Sequence, residues 1–379
     1  MAVVYQPSDR KVVSSSASHM EIKSNPLFFI KIIDGKLILW DYRQHDQYEI
    51  SSGHVQRLLE FSQGAAVSDS VIDSEIIGSG ILKDDSRNFK DWGWDCLSQI
   101  FHIGTQIVLE DGAHLPVDDG YEGYVAYCAS ISDKIPETRY QREGELFELP
   151  VARHKFPTAP GLTEVLMQRR TSRSFVTQTI PLQTVADALY WTFGTVHGDT
   201  REDMRAAGLQ PVGYRRTSPS GGSLHPSEAY LVALHVDGLR AGIYHYRAST
   251  HQLTLVTHDI DGNTLGRLLC AQMFAQNLAF GVFMTSRFDK MWWKYPHSRA
   301  YRVALLDMGC LAQTFQLVTT GLGLKSWLTG YFLDREINRL LAVDEINESV
   351  LFFVGAGEGA DTPFAPEVLT AVEKLRNAS

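Results

Sequence analysis

The stretch PSGGSLHPSEAYLVALHVDGLRAGIYHY, residues 219–246, shows the pattern that decides the fold of the second half of the chain. A turn rich in glycine and serine precedes two β-rich runs, Tyr230 to Val236 and Gly242 to Tyr246. Similar β runs, helical patterns and Gly-rich turns alternate from residue 161 to residue 379. This alternation predicts a larger α+β domain over residues 161–379.

Smaller units are predicted upstream of this domain. Two β-rich runs separated by Asp34-Gly35 are a strong hairpin signal. Short helical patterns follow at His54 to Phe61 and at Asp91 to Gln106. The next residues mix Gly, Pro and acidic side chains in irregular order, which is typical of a linker. We therefore expect a flexible Ser-rich leader over residues 1–24, a small α+β module over residues 25–110 and a linker over residues 111–160.

The composition of the 379-residue chain is that of an ordinary globular protein, with 44% apolar and 21% charged residues. Its 35 basic and 44 acidic residues give a net charge of −9. Phosphate contacts along a nucleic acid need a surplus of Lys and Arg, so this balance argues against a general nucleic-acid binder. The four cysteines lie far apart without a C-x-x-C pair, so neither a metal site nor a dithiol redox site is predicted.

The most apolar stretch, Val303 to Leu324, includes three polar residues, Asp307, Gln313 and Gln316. These side chains favour a buried core helix over a membrane span. The N-terminal residues lack the apolar run of a signal peptide, and sparse cysteines suit a reducing compartment. We therefore expect a cytoplasmic protein without a membrane partner.

Three arginines and three hydroxyl side chains fall within residues 169–174, RRTSRS, just after a predicted helix at Leu162 to Gln168. Guanidinium groups and hydroxyl donors suit a phosphate ester. The alternative is a solvated basic helix end, which stabilises the helix dipole and binds nothing. Taken alone, the segment favours that alternative.

Two further segments combine glycine with polar side chains. In the turn Ser218 to Pro226, two glycines would let backbone amides approach a flat ligand, and a plain turn is the alternative. After the apolar helix, Gly321 is predicted as the helix C-cap, a position that requires no ligand. The following Thr329-Gly330 offers backbone N–H groups that suit the edge of a cofactor.

Lys294 and Tyr295 are adjacent in the aromatic segment MWWKYPHSR, residues 291–299. A neighbouring ammonium stabilises a phenolate, so this pairing predicts a lowered pKa for the Tyr295 phenol. A phenolate poised near neutral pH suits the removal of a carbon-bound proton. An aromatic surface or interface patch is the alternative, and the pair alone favours it.

In this order the four segments resemble the FMN-dependent nitroreductase family. Its pattern is R-R-[ST]-x-R-x-F, then P-S-[AG]-G, then a buried helix ending in G-L-G, then a segment ending in Thr-Gly. More narrowly, the chain resembles the SagB-type azoline dehydrogenases of thiazole/oxazole-modified peptide pathways. The narrower resemblance depends on residues 219–246, on the Lys294-Tyr295 pair with Arg299 and Arg302 behind it, and on LLDMGCLAQTFQLVTTGLGL, residues 305–324. It covers Leu162 to Gly357 well.

The resemblance implies a nitroreductase-like α+β fold, in which helices flank a central antiparallel sheet, and a homodimer with FMN at the shared interface. Many family members carry a basic pair near the C-terminus that meets the FMN phosphate. Here VGAGEGADTPFAP, residues 354–366, has no Lys or Arg. The phosphate is therefore expected to depend on Arg169, Arg173 or Lys325.

The resemblance also implies a role for each motif residue. Lys294 and Tyr295 match the Lys-Tyr pair assigned to catalysis in the subgroup. Around FMN, the implied contacts are Arg169, Arg170, Thr171 and Arg173 at the phosphate and ribityl chain, Pro219, Ser220, Gly221 and Gly222 along the isoalloxazine ring, and Leu328, Thr329 and Gly330 near flavin N5 and O4.

The expected reaction is the FMN-dependent oxidation of a thiazoline or oxazoline ring, on a peptide or a carrier, to thiazole or oxazole. Tyr295 would take the ring proton with help from Lys294, the flavin would take the hydride, and O₂ would reoxidise the flavin. The module at residues 25–110 is predicted to add a leader peptide to its sheet edge, to dock a cyclodehydratase or carrier protein, or only to cover the core. Three alternatives stay open: an NAD(P)H-dependent nitro- or quinone reductase, another FMN oxidase, and a non-catalytic scaffold subunit.

Overall fold

The structure, a computed structural model, describes residues 27–82, 92–107, 120–157, 160–198, 201–210, 212–360 and 362–378. The predicted leader, residues 1–24, lies outside these ranges. The described residues form two compact units. The smaller unit contains those between 27 and 107 together with residues 297–299, and the larger unit contains the rest. Within the described residues, no helix is long and apolar enough to cross a membrane.

The smaller unit begins with the predicted hairpin, which is confirmed. Strands β1 (Phe28–Ile33) and β2 (Lys36–Asp41) pair antiparallel, with Ile33 opposite Lys36. Asp34 and Gly35 connect them with positive φ angles of 50° and 74°, as a two-residue hairpin turn requires. Strand β3 (Asp46–Ile50) pairs antiparallel with the other edge of β2.

Three helices follow the sheet of the smaller unit: α1 (Ser52–Ser62), α2 (Val71–Ser79) and α3 (Cys96–Gly104). The predicted helices at His54 to Phe61 and Asp91 to Gln106 correspond to α1 and α3. This unit has two small cores, one formed by Leu39, Phe61, Ile76, Ile81 and Leu82 and the other by Leu27, Tyr42 and Ile103.

The larger unit is built around one antiparallel sheet. In chain order its elements are α4 (Gly120–Ser130), β4 (Leu146–Glu148), α5 (Leu162–Gln168), β5 (Phe175–Val176), β6 (Ile180–Pro181), α6 (Leu182–Phe193), α7 (Glu202–Ala206), β7 (Ser227–Ala233), β8 (Val236–Asp237), β9 (Gly242–Arg247), β10 (Gln252–Thr257), α8 (Gly262–Leu268), β11 (Phe280–Arg287), α9 (Phe288–Lys294), α10 (Arg299–Gly321), β12 (Lys325–Thr329), α11 (Asp334–Leu341), β13 (Glu348–Gly359) and α12 (Pro366–Ala378).

The strand order of this sheet is β12-β13-β11-β7-β9-β10-β4, and β5 pairs with the end of β13. Strand β7 is buried on both faces, because its alternate side chains enter two separate cores. Helices α6 and α10 supply Leu189, Phe193 and Phe315 to one core, and α8 and α11 supply Leu265 and Ile337 to the other. The predicted fold class, an antiparallel sheet flanked by helices, is therefore confirmed.

Part of the segment predicted as a linker has regular structure within the described residues. It contains helix α4 and strand β4, and β4 pairs with β10 at the sheet edge, with Phe147 opposite Leu253. The boundaries of the predicted regions remain predictions.

The predicted buried helix is α10, but the predicted C-cap is wrong by two residues. Gly321 still lies in the helix, where a Cβ would meet the Phe156 ring at 3.2 Å. Gly323 has the left-handed φ of 83°. The N–H groups of Gly323 and Leu324 donate to the carbonyls of Thr320 and Thr319, which is the Schellman pattern of helix termination. The missing side chain of Gly321 therefore lets Phe156 pack closely against the helix, and Gly323 ends the helix.

Candidate functional site

The glycine-serine turn that precedes β7 is strained. Gly222, Ser223 and His225 have positive φ angles of 59°, 57° and 45°. For residues with a Cβ, this backbone conformation costs about 1–2 kcal/mol each, so it persists only where neighbouring groups hold it. The turn is therefore held by contacts with other parts of the domain.

Asp307 on helix α10 holds the turn in place. The Ser220 hydroxyl donates to one carboxylate oxygen of Asp307 at 2.6 Å, and the Gly221 N–H donates to the other at 3.2 Å. The Ser220 hydroxyl also accepts from the His225 N–H at 3.0 Å. Burial raises the pKa of Asp307, and these two donors partly offset that rise. The Ser220 hydroxyl is therefore engaged within the protein, and its effect on a ligand would come through the shape of the turn.

Gly221 and Gly222 must lack a Cβ because neighbouring side chains occupy that space. A Cβ at Gly221 would clash with Val303 of α10, and a Cβ at Gly222 would clash with the hydroxyl oxygen of Tyr295. The structure thus brings the Gly-rich turn and the Lys-Tyr pair into contact. Tyr295 packs beside Leu224 and Met291 in the same small apolar cluster.

Lys294 does not direct its ammonium at the Tyr295 hydroxyl. The Lys294 side chain is 1% exposed, and its Nζ donates to the carbonyl oxygens of Leu209 at 3.2 Å and Gly208 at 3.5 Å. Burial lowers the pKa of Lys294 and raises the pKa of Tyr295, because burial disfavours the charged form of each. The prediction of a lowered phenol pKa is therefore wrong.

Two tyrosines of α4, which none of the four sequence motifs includes, contact this pair. The Tyr124 ring lies near the Lys294 ammonium, with Nζ 5.7 Å from the centre of the ring. The Tyr127 hydroxyl donates to the Lys294 carbonyl at 3.1 Å. The spacing of Tyr121, Tyr124 and Tyr127 would have been a usable signal, since residues three apart share a helix face.

The arginine-rich segment lies beside strand β12. Thr171 forms a parallel bridge with Ser326, and the Ser172 N–H donates to the Ser326 carbonyl at 3.0 Å. The Arg173 N–H donates to the Pro363 carbonyl at 2.8 Å. This backbone pairing brings the first predicted motif next to the strand that ends in Thr329-Gly330.

The three arginines of this segment differ in what they contact. The Arg170 guanidinium donates to the carbonyls of Met167 and Arg169, at 2.7 and 2.9 Å, so the helix-end alternative describes Arg170 well. Within the described part of the chain, the guanidinium groups of Arg169 and Arg173 have no hydrogen-bond or ion-pair partner, and Arg173 is exposed. The exposed Lys325 begins β12, and its side chain lies over Gly359.

Thr329 and Gly330 form the end of β12. The Thr329 hydroxyl accepts from the Tyr331 N–H at 3.0 Å and so shapes the turn that follows the strand. Gly330 is exposed, with the Phe352 ring 3.4 Å from the position of a Cβ. Leu328 is half-buried opposite Val354 of β13.

Helix α10 separates the four motifs into two groups. In the first half of the helix, Asp307 contacts Ser220 and Gly221, and Tyr295 lies against Gly222; we call this set the tyrosine end. Directly after its C-terminus come β12 and the segment beside it; we call Arg169, Thr171, Arg173, Lys325, Thr329 and Gly330 the arginine end. With a rise of about 1.5 Å per helical residue, Asp307 lies roughly 20 Å along the helix from Gly321, the last residue of α10.

The arginine end has the donors that an anionic phosphate needs. Two guanidinium groups and an ammonium lie on neighbouring segments, and the buried Ser326 hydroxyl has no hydrogen-bond partner among the described residues. Such a donor set suits a phosphate monoester, and thus the phosphate of FMN. No cluster of three metal-binding side chains occurs in the described ranges.

The model of the nitroreductase family matches residues 166–358, just over half of the chain. The chain belongs to the nitroreductase family. Members of this family generally are FMN-dependent oxidoreductases. A solved nitroreductase structure from Anabaena variabilis shares the fold, with a TM-score of 0.50 and 20% identity over 70% of this chain and 47% of that one.

Three relatives are similar to parts of this chain. MJ1384 of Methanocaldococcus jannaschii, a nitroreductase by name, is 26% identical over 184 residues, which are 48% of this chain and 85% of MJ1384. The trifolitoxin-processing protein TfxB of Rhizobium leguminosarum bv. trifolii is 29% identical over 143 residues. The microcin B17-processing protein McbC of Escherichia coli is 30% identical over 142 residues. The matched regions are 36% of this chain in both cases, and 38% of TfxB and 51% of McbC.

Proposed function

We propose that this nitroreductase-family chain is an FMN-dependent dehydrogenase that oxidises thiazoline or oxazoline rings, on a peptide or a carrier, to thiazoles or oxazoles. The contact between the Tyr295 hydroxyl and Gly222 carries the proposal, because a phenol at that position would lie beside the turn that is expected to line the flavin. The similarity to two toxin-processing proteins, TfxB and McbC, supports the class of pathway.

The arginine end would hold FMN by its phosphate. Arg169, Arg173 and Lys325 supply the positive charge, and the Thr171 and Ser326 hydroxyls supply further donors. Bound FMN would supply the hydride acceptor, which no side chain provides. Arg170 is the weakest of the predicted ligands, since its guanidinium already caps the carbonyls of its own helix.

A second copy of the chain would complete the site. On either side of Asp307, α10 exposes an apolar stripe made of Leu305, Leu306 and Gly309, and Leu306 is 68% exposed. Contiguous apolar surface of this kind usually marks an interface. We therefore propose a homodimer in which this stripe is covered and both ends contribute to each FMN site.

The proton chemistry belongs to Tyr295. Its hydroxyl oxygen would take the proton from one carbon of the azoline ring, while the neighbouring carbon loses the hydride. Because burial raises the pKa of Tyr295, turnover should increase as the pH rises towards that pKa. Lys294 would assist by holding the backbone at residues 208–209 against α9, with its ammonium on the two carbonyls.

The test is the variant Tyr295→Phe, assayed with an azoline peptide by mass spectrometry for loss of two hydrogens. We expect FMN to remain bound, as followed by flavin absorbance, and turnover to fall by about 10²–10⁴-fold, the usual contribution of a general base. Oxidation of the peptide by Tyr295→Phe at the wild-type rate would exclude this role.

An NAD(P)H-dependent nitroreductase is the second candidate function. The similarity to MJ1384 favours it, because the match covers 85% of that protein. This candidate predicts rapid bleaching of the flavin by NAD(P)H and no change in an azoline peptide. The azoline dehydrogenase predicts bleaching by the azoline peptide.

The smaller unit is proposed to dock the peptide substrate or a partner such as a cyclodehydratase or carrier protein. Among the described residues, β1 and β3 each pair with β2 only, so both edges of this sheet can accept another strand. Ile32 on β1 is 71% exposed. An Ile32→Asp variant should raise KM for a full-length peptide and leave kcat unchanged; equal KM values would argue against docking at this edge.

A further inference from the structure

Helix α9, which ends just before Tyr295, carries two buried lysines. Lys290 and Lys294 lie four residues apart, so they share one face of the helix, and they are 2% and 1% exposed. The Lys294 ammonium contacts two backbone carbonyls, whereas Nζ of Lys290 lies 3.3 Å from Oε1 of Glu228. The proton chemistry proposed above does not use this buried ion pair.

Glu228 is the second residue of β7 and is 6% exposed. Its other carboxylate oxygen contacts Nε2 of His245 at 3.3 Å, and the Lys290 ammonium also donates to the Thr138 carbonyl at 3.4 Å. Burial would raise the pKa of Glu228, but the charge of Lys290 and the hydrogen bond from His245 lower it to about 2. The Glu228 carboxylate is therefore ionised at neutral pH.

The ion pair is the middle one of three contacts that α9 and its flanking residues make with residues 222–228. Before the helix, the Arg287 N–H donates to the Pro226 carbonyl at 2.8 Å. After the helix, the Tyr295 hydroxyl lies against Gly222. A helix of seven residues has little stability of its own, so its position depends on tertiary contacts.

Other side chains of α9 hold it to different parts of the domain. Nε1 of Trp293 donates to the Ile131 carbonyl at 3.1 Å, and the Lys294 ammonium contacts residues 208–209. Glu228 instead belongs to the strand that begins directly after the glycine-serine turn. A buried charge that loses its partner is strongly destabilising, so the Lys290 ammonium is held at Glu228. The ion pair therefore fixes α9 relative to the start of β7.

We propose that Lys290 is a positioning residue of Tyr295, because its ion pair with Glu228 holds α9 where the phenol that follows the helix lies against the turn. The inference rests on the proposed function, in which Tyr295 is the base, and it adds a residue outside the four motifs. A base must lie within hydrogen-bond reach of the proton that it removes. A displacement near 1 Å caused by a distant substitution lowers the rate by about a hundredfold.

The test variant removes both charges of the ion pair together. Lys290→Met alone would leave the Glu228 carboxylate buried without its cation, and a loss of folding would then hide the effect on Tyr295. Lys290→Met combined with Glu228→Gln keeps the approximate size of both side chains and keeps an oxygen for His245. Breaking a buried pair on one side is more destabilising than removing both charges. In urea unfolding, we therefore expect the double variant to be more stable than Lys290→Met alone.

A merely structural role and a positioning role of Lys290 predict different results in the double variant. The structural role predicts that turnover recovers together with stability. The positioning role predicts that kcat for an azoline peptide stays about a hundredfold below the wild-type value with KM unchanged, because the link between α9 and β7 is still absent. A wild-type kcat in the double variant would overturn the proposal.

The matched control is the ion pair of Arg153 and Asp187, which lies in the same unit and joins residue 153 to helix α6. The Asp187 carboxylate is fully buried and accepts from Nε of Arg153 at 2.7 Å. Arg153→Met combined with Asp187→Asn should keep the wild-type kcat. An equal loss of kcat in both double variants would mean that losing any buried ion pair, and not the position of α9, explains the effect.

Fluorine NMR of the full chain labelled with fluorotyrosine follows the surroundings of the Tyr295 phenol without any substrate. The Tyr295 resonance is assigned by its loss in Tyr295→Phe. We expect this resonance to shift when Lys290→Met and Glu228→Gln are combined, and to keep its wild-type position in the control. An unchanged Tyr295 resonance in the test variant would exclude a positioning role for Lys290.

The positioning role and the proposed function fail separately. If Tyr295→Phe abolishes turnover while the Lys290 and Glu228 double variant keeps the wild-type kcat and resonance, the function stands and the role of Lys290 falls. If the wild-type protein oxidises no azoline, the proposed function falls, and the Tyr295 resonance still decides whether Lys290 positions the phenol.

Discussion

The tyrosine end and the arginine end of helix α10 differ in burial, in backbone strain and in the exposure of their side chains. At the tyrosine end the side chains are buried and hydrogen-bonded, and the backbone carries the strain, with three left-handed residues in four positions. At the arginine end the backbone is in regular strand pairing, while the cationic side chains are exposed. Burial shifts the pKa of an ionisable group, whereas exposed cations stay accessible to an anionic ligand.

Gly222→Ala is expected to cause the largest loss of turnover in the comparison of the two ends. It disturbs the tyrosine end and leaves the arginine end unchanged. A Cβ there would clash with the Tyr295 oxygen, and the φ of 59° is unfavourable for alanine. A displacement near 1 Å is enough to lower turnover by about a hundredfold. The measurement is the rate of azoline oxidation at saturating FMN.

The control for Gly222→Ala is Gly35→Ala in the hairpin of the smaller unit. Gly35 has a similar φ of 74°, and a Cβ there would meet nothing within 4 Å. Gly35→Ala should lower the free energy of unfolding by about 1–2 kcal/mol, because alanine is strained at this φ, and it should keep the wild-type turnover. Equal losses of turnover in the two variants would mean that backbone strain, and not the contact with Tyr295, explains the effect.

The next largest effect is expected at the arginine end, where a substitution should weaken FMN binding and leave the rate of the chemical step unchanged. Arg173→Ala should raise the Kd for FMN by about 10- to 100-fold, the usual range for a hydrogen bond to a charged group. Fluorescence quenching of added FMN measures it. Arg170→Ala is the control, since the Arg170 guanidinium already caps its own helix, and its Kd should stay near that of the wild type. A larger loss in Arg170→Ala than in Arg173→Ala would reverse the assignment.

A smaller, pH-dependent effect is expected for Ser220→Ala. This variant leaves the buried Asp307 carboxylate without one of its two donors, at a cost of about 2 kcal/mol at neutral pH. The folded-state pKa of Asp307 is raised, so its ionisation destabilises the fold as the pH rises above 3.8 and through that pKa. Losing the donor raises this pKa further, so the deficit should grow with increasing pH and shrink below about pH 4.

Urea unfolding of Ser220→Ala at pH 4 and pH 7.5, with Ser223→Ala as control, measures this difference. The Ser223 hydroxyl has no hydrogen-bond partner within the described ranges, so its removal should cost little at either pH. A deficit in Ser220→Ala that is independent of pH would show that Asp307 is not the partner that matters.

The smallest expected effect separates the two glycines at the end of α10. Gly323→Ala should cost about 1 kcal/mol, because alanine must adopt the φ of 83° that ends the helix. Gly321→Ala should cost less, since helix propensity gains up to about 1 kcal/mol and offsets the contact with Phe156. Thermal denaturation of both variants tests this, and a larger loss in Gly321→Ala would show that the contact with Phe156 costs more than the left-handed φ at Gly323.

Local pattern predicted part of the fold. The hairpin around Asp34-Gly35, helix α5 and the buried helix α10 were each predicted from a few neighbouring residues, because turn chemistry and hydrophobic periodicity are local signals. Helix α4 was predicted as part of a linker. Its apolar and polar residues lack a strong helical period, and its tyrosines find their partners far along the chain.

The amino-acid sequence by itself determined the order of the four motifs and the chemical character of each, since guanidinium, hydroxyl and phenol groups are properties of residues. Only the tertiary structure decided which motifs meet. It placed the Tyr295 oxygen against Gly222, turned the Lys294 ammonium away to two backbone carbonyls, and set Thr171 beside Ser326. The physical reason is that the pKa of a side chain and the shape of a ligand site depend on burial and on partners distant in sequence. No local sequence pattern contains this information.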